Sequence, residues 1–177
     1  MRRTLDLLYD AAGYLAAFFI FAIFAVMVGG SVLREFGFKT GGTDDVVSWM
    51  CAAAAFLAMA HTFKRGDFVR VVLLLDNLGP RRRQQLEVVC LTIAAAALGA
   101  LFWAAARFVY DSWVFNDMPN GLIAVPLWIP QSSFVLGAGL LFVAALDELV
   151  TVLRGNKPAY VVAVEERHAR GDFSEDI

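Results

Sequence analysis

Charge is what this chain has least of. Only 18% of its 177 residues are Asp, Glu, Lys or Arg, against 59% hydrophobic, and the mean hydropathy is +0.63. Soluble domains carry about a quarter charged residues, so too few remain here to cover a water-facing surface. Histidine and cysteine are scarce too, at two each. His61 ends an apolar stretch and His168 lies near the C-terminus, so a haem held by two intramembrane histidines lacks its second ligand. Cys51 and Cys90 form no C-x-x-C pair for thiol redox work. No Ser/His/Asp set, glycine-rich phosphate loop or metal-spaced cluster occurs, and no Asp or Glu stands mid-span as a proton-coupled exporter needs. These absences point away from an enzyme and away from a cofactor or metal held by this chain.

What is present comes in blocks. Ala11–Leu33, Val46–Phe63, Val88–Ala106 and Gly121–Leu146 contain no charged residue. A helix crosses the hydrocarbon core with about 20 mostly apolar residues. The blocks predict an all-α membrane protein with four transmembrane helices, at about 8–33, 45–64, 85–108 and 127–150. Residues 1–155 read as a single four-helix transmembrane domain, and 156–177 as a polar cytoplasmic tail, loosely ordered from Arg154 onward. The first block follows Arg2 and Arg3 as a secretory leader would. At 23 residues it exceeds an h-region of about 7–15, and it reads as a retained anchor.

The cations are unevenly placed. With four crossings both termini share one side, and twelve of the fifteen fall there: Arg2, Arg3, Lys64, Arg65, Arg70, Arg81, Arg82, Arg83, Arg154, Lys157, Arg167 and Arg170. The other side has Arg34, Lys39 and Arg107. Excess Lys and Arg marks the cytoplasmic face, which predicts an N-in/C-in arrangement. Lys64, Arg65, Arg70, Arg81, Arg82 and Arg83 then anchor the topology at anionic membrane lipids. A nucleic-acid patch is the poorer reading, because Asp67, Asp76 and Glu87 interleave these cations and apolar spans flank them. Between the second and third spans, residues at about 67–78 are too few to cross and too apolar to float free. They read as a short interfacial helix on the cytoplasmic side, with a cytoplasmic extension of the second span as the alternative.

Thr43, Asp44 and Asp45 are candidate N-caps, where carboxylates also suit the helix dipole. Small residues four apart, Ala54/Ala58 and Ala95/Gly99, predict close packing of the second span on the third. Arg107 and Asp111 are spaced for an i,i+4 pair, and Trp49, Tyr110, Trp113 and Trp128 for an interfacial aromatic belt. His61 reads as an interfacial or hydrogen-bonded side chain, with a proton relay or haem ligand as the alternative. The two thiols are expected free and buried, because most of a bilayer separates them along their helices. The spans are otherwise expected to bury small neutral side chains, with no place for a travelling ion.

Three stretches together resemble a known family. They are Asp44-Asp45-x-x-x-Trp49 followed by Ala-rich sequence to Phe56-Leu57, then Lys64-Arg65-Gly66-Asp67-Phe68-Val69-Arg70-Val71, then Gly121–Trp128. They look like the core of the small membrane subunit of TRAP transporters, over roughly residues 5–155. In that family an acidic pair opens the second helix and a basic-glycine turn closes it. Asp67 stands where the family often has histidine, and Asp44-Asp45 replaces the commoner glutamates. The resemblance implies a multi-pass protein of the bacterial inner membrane. It implies two protein partners, a large TRAP membrane subunit that carries an organic acid with sodium and a periplasmic solute-binding protein that delivers it. The candidate partner interface is Asp44, Asp45, Trp49, Arg107, Asp111 and Trp128. The rival readings are a membrane anchor of a respiratory enzyme and a small self-sufficient oligomeric exporter.

Overall fold

The computed structural model describes residues 2–38, 40–65, 79–156, 158–162 and 169. Four helices account for most of them: α1 (Arg2–Glu35), α2 (Thr43–Arg65), α3 (Pro80–Val114) and α4 (Trp128–Leu153), with no strand among the described residues. Each contains a segment long and apolar enough to cross a membrane. The expected interfacial helix at 67–78 lies outside the described residues.

The helix ends follow from local chemistry. α3 starts with Pro80 after an extended Gly79, and the Arg83 amide makes the first turn's bond to the Gly79 carbonyl at 3.0 Å. Proline suits that first position because its missing N–H has no intrahelical partner to lose. Three helices stop in one way. After α1, Phe38 N donates to Leu33 O and Gly37 N to Arg34 O, with Gly37 at φ +78°. After α4, Asn156 N donates to Thr151 O and Gly155 N to Val152 O, with Gly155 at φ +76°. After α3 the same pair of bonds forms at Asp117 and Asn116, and Asn116 takes the positive φ. Each is a left-handed cap that satisfies the last carbonyls. These caps place the end of α3 at 114, six residues beyond the expected 108.

The helices pack as an open row. α2 lies between α1 and α4, and α4 lies between α2 and α3, while the remaining pairs touch at most marginally. The expected packing of the second span on the third is therefore corrected. Both small-residue runs serve α4 or α1 instead, because α4 offers complementary small residues on two sides. Gly137 sits against the Phe56 carbonyl of α2, closer than any side chain would permit. On α4's other side Gly99 receives the Phe142 ring and Gly139 the Phe102 ring, and these two rings stack at 6.3 Å. Lipid tails cannot drive helices together hydrophobically, so such contacts supply the association. Cys51 and Cys90 are free as expected, but both are exposed on outward faces and not buried.

Candidate functional site

The sequence leads toward the polar residues at the two ends of the row. At the end that carries the termini, α1, α2 and α4 converge. The last turns of α2 supply His61, Lys64 and Arg65. The second turn of α1 supplies Tyr9 and Asp10, and the late turns of α4 supply Asp147 and Glu148. α4 runs parallel to α2, so its late turns lie beside the end of α2.

Lys64 Nζ donates to Asp147 Oδ2 at 2.6 Å and to Glu148 Oε1 at 2.7 Å. The Lys64 side chain is 11% exposed and that of Glu148 is 0%. The second carboxylate oxygen of Glu148, Oε2, accepts the Ala159 backbone N–H at 2.8 Å. Lys64 Nζ also stands 5.6 Å from the centre of the buried Tyr9 ring, within cation–π range. The Tyr9 hydroxyl is buried with no hydrogen-bond partner among the described residues. Charges withdrawn from water this far survive only when paired and hydrogen-bonded, and both oxygens of Glu148 meet that condition.

His61 joins α2 to α1. Its Nδ1 lies 3.2 Å from the Tyr9 carbonyl and 3.3 Å from Asp10 Oδ1. A carbonyl only accepts, so Nδ1 carries the proton in this arrangement. The ring rests on Gly13, where an added Cβ would come within 2.8 Å of it. Arg65 extends outward, 3.8 Å from Asp10 and largely exposed.

At the opposite end the two loops interlock. The loop before α2 presents Gly41 and Gly42, and the segment before α4 lays Leu122 on the first and Ile123 on the second. Gly42 has φ +84°, which a side chain there would strain. The Asp45 carboxylate occupies the space a side chain on Gly121 would need. The segment is held in turn by the Leu127 N–H, which donates to Asp117 O at 2.9 Å.

The expected site residues distribute as follows. Asp44 and Asp45 lie inside the first turn of α2 and not at its cap. The helix opens at Gly42, whose carbonyl accepts Val46 N, while Thr43 Oγ1 donates back to Thr40 O. Trp49 is half-buried one turn on, and Trp128 is the half-buried first residue of α4. Arg107 does not pair with Asp111. Its guanidinium lies 5.3 Å from the centre of the Trp103 ring, one turn earlier on α3, and Asp111 is exposed. Arg82 is exposed and Arg83 stands 3.9 Å from Glu87. Arg70 and the Arg81 side chain lie outside the described residues.

Lys64, expected to face lipid head groups, turns inward. That corrects the expectation of purely small, neutral buried side chains, because a fully buried carboxylate sits beside it. Sequence reasoning missed Asp147 and Glu148 as its partners, although a signal existed. The pair Lys64-Arg65 closes one charge-free run and the acid pair Asp147-Glu148 closes another at matching depth.

Residues 23–155 match the family model described as "Tripartite ATP-independent periplasmic transporters, DctQ component". No curated protein matches the chain.

Proposed function

The chain belongs to the DctQ family of TRAP transporter small permease components, and from that premise we propose that it is the scaffold subunit of a sodium-coupled organic-acid importer. In this reading it binds the large membrane subunit laterally and holds that subunit's static part at a fixed depth. A periplasmic solute-binding protein delivers the substrate, and the chain carries no ion itself.

The observation that favours a scaffold is how the buried charges are engaged. Lys64 is held by two carboxylates, and each oxygen of Glu148 already accepts a bond. Such a network ties helices to one another, and both Glu148 oxygens are engaged by donors of the chain itself. The open row also suits the role, because a layer of helices presents long lateral faces to a neighbour.

Depth along the row supports a further step. Lys64 and Glu148 are level, and Gln84 reaches the Val152 carbonyl, which brings α3 to the same height near residue 88. A hydrocarbon core is about 20 helical residues thick. Counting that far from this level reaches Asp44-Asp45 on α2, Trp128 on α4 and Arg107 on α3. We therefore assign the triad to the inner boundary of a bacterial inner membrane, with both termini cytoplasmic, and these residues to the outer boundary. Residues 1–155 then form one membrane unit, with Arg65, Arg70, Arg81, Arg82 and Arg83 at the inner lipid head groups. Asp44, Asp45, Trp49, Arg107, Asp111 and Trp128 form the periplasmic rim of the subunit interface. No observation favours the respiratory anchor or the self-sufficient exporter.

Co-purification in mild detergent tests the reading. The chain should retain a large multi-helix membrane partner, and sodium-dependent uptake in proteoliposomes should require both. Substrate flux with this chain alone would overturn it.

A further inference from the structure

Residues 158–162 lie beyond the family match, which ends at 155, yet they complete a site within it. A polar tail was expected there. Instead Pro158 and Tyr160 are buried, Tyr160 to 2% exposure, and Val161 and Val162 both donate to the Pro158 carbonyl to form a helical turn. The Tyr160 ring meets Phe63 of α2 edge-on at 6.1 Å. Ala159 N donates to Glu148 Oε2. One segment therefore contacts α2 through an aromatic pair and α4 through the fully buried Glu148 carboxylate. Gly155, in its left-handed cap, turns the backbone away from the axis of α4.

We propose that residues 158–162 are an intramolecular strap that closes over the Lys64–Asp147–Glu148 triad and keeps water from it, so that the C-terminal segment is part of the folded unit. The physical reason is the second oxygen of Glu148. Lys64 satisfies only Oε1, and a fully buried carboxylate with an unbonded oxygen is costly. The Ala159 N–H is the donor that completes it. The inference does not depend on what the protein transports.

Two shortened chains and one substitution test it, all purified in mild detergent and followed by thermal melting. A chain ending at Val162 is the reference for the shorter one. A chain ending at Gly155 should melt on the order of 5 °C lower, as expected for loss of a bond to a charged group. Lys64→Met should lower melting by less in the Gly155-ended chain than in the full chain, because water would already reach the triad. Should the shorter chain fail to accumulate, Ala159→Pro in the full chain carries the test. Proline fits the first position of a helical turn, and its ring carbon takes the place of the N–H that Glu148 accepts. It should lower melting and speed tryptic cleavage after the exposed Arg154 several-fold, whereas Ala159→Ser should do neither. Equal melting of the two shortened chains, an undiminished Lys64→Met effect, or an Ala159→Pro variant indistinguishable from Ala159→Ser would overturn the strap.

Discussion

Lys64 and Glu148 stand 84 positions apart in the chain and meet at 2.7 Å, the first 11% exposed and the second 0%. Removing one member of a buried pair is far worse than removing both, because the survivor is left charged and unpaired. Lys64→Met is therefore expected to cost about 3–5 kcal/mol. Lys64→Met combined with Glu148→Gln should recover a substantial part, since Asp147 retains some access to water. A double-mutant cycle on melting temperatures in detergent checks this. Additive losses would show that the two side chains do not act as a pair.

Gly13 and His61 form a fitted contact between α1 and α2. Gly13→Ala should destabilise, because its Cβ would stand 2.8 Å from the imidazole, which is itself held by Tyr9 and Asp10. His61→Ala vacates that space, so the double variant should be more stable than the two single losses predict. The expected coupling is about 1 kcal/mol or more, in the range found for residues in contact. Melting of the four variants measures it.

Gly137 and Gly99 separate two kinds of close approach. A methyl at 137 meets the Phe56 backbone, which cannot move without shifting α2. A methyl at 99 meets the edge of the Phe142 ring at 3.0 Å, and a ring can turn aside. Gly137→Ala is expected to cost about 1–3 kcal/mol as overpacking, and Gly99→Ala clearly less. Melting of the two variants side by side decides it, and a larger loss at Gly99 would refute the distinction.

Much of this fold is legible in the sequence, and the reasons are particular. The charge-free runs reveal the number of helices and their membrane-crossing parts, because hydrocarbon thickness sets a length that composition displays directly, while α1 and α3 extend beyond those runs. Gly37 and Gly155 mark helix ends because few other residues take a left-handed cap. Which helix lies beside which is less visible. Ala54, Ala95 and Gly137 are all small, and small residues permit close approach without naming the partner. The pairing of Lys64 with Glu148 depends on two charges meeting at one depth, which a linear reading shows only when helix ends are compared across the chain. The Arg107 contact was misassigned for another reason. Trp103 and Asp111 flank it at equal spacing on the same helix, and spacing alone does not choose between them.

The loop interlock carries a functional expectation. Gly121→Val would collide with the Asp45 carboxylate and shift both loops at the proposed periplasmic rim. Beyond the first turn of α2 the helices are untouched, so the subunit should still co-purify with its large partner. If the solute-binding protein docks on these outer loops, uptake should fall by roughly tenfold for about 1.4 kcal/mol of docking lost. Proteoliposome transport measured beside co-purification separates the two effects. Unchanged uptake would remove the loops from the docking surface.

The proposed topology makes the cations on the two sides unequal. Reversing Arg81, Arg82 and Arg83 together to Glu removes three positive charges and adds three negative ones where α3 enters the bilayer. Cytoplasmic Lys and Arg retain a loop against translocation, and acidic residues do little of the opposite kind. The triple reversal should therefore impair insertion, and a C-terminal fluorescent fusion that matures only in the cytoplasm should lose most of its signal. Arg34→Glu acts on the other side, where a cation is no part of the retention signal, and should leave the fusion bright. A single reversal is milder than a triple one in charge alone, so Arg34→Glu is best compared with Arg82→Glu as well. If Arg34→Glu dims the fusion as much as Arg82→Glu does, the sidedness is wrong, and the triad would then sit at the opposite face of the membrane.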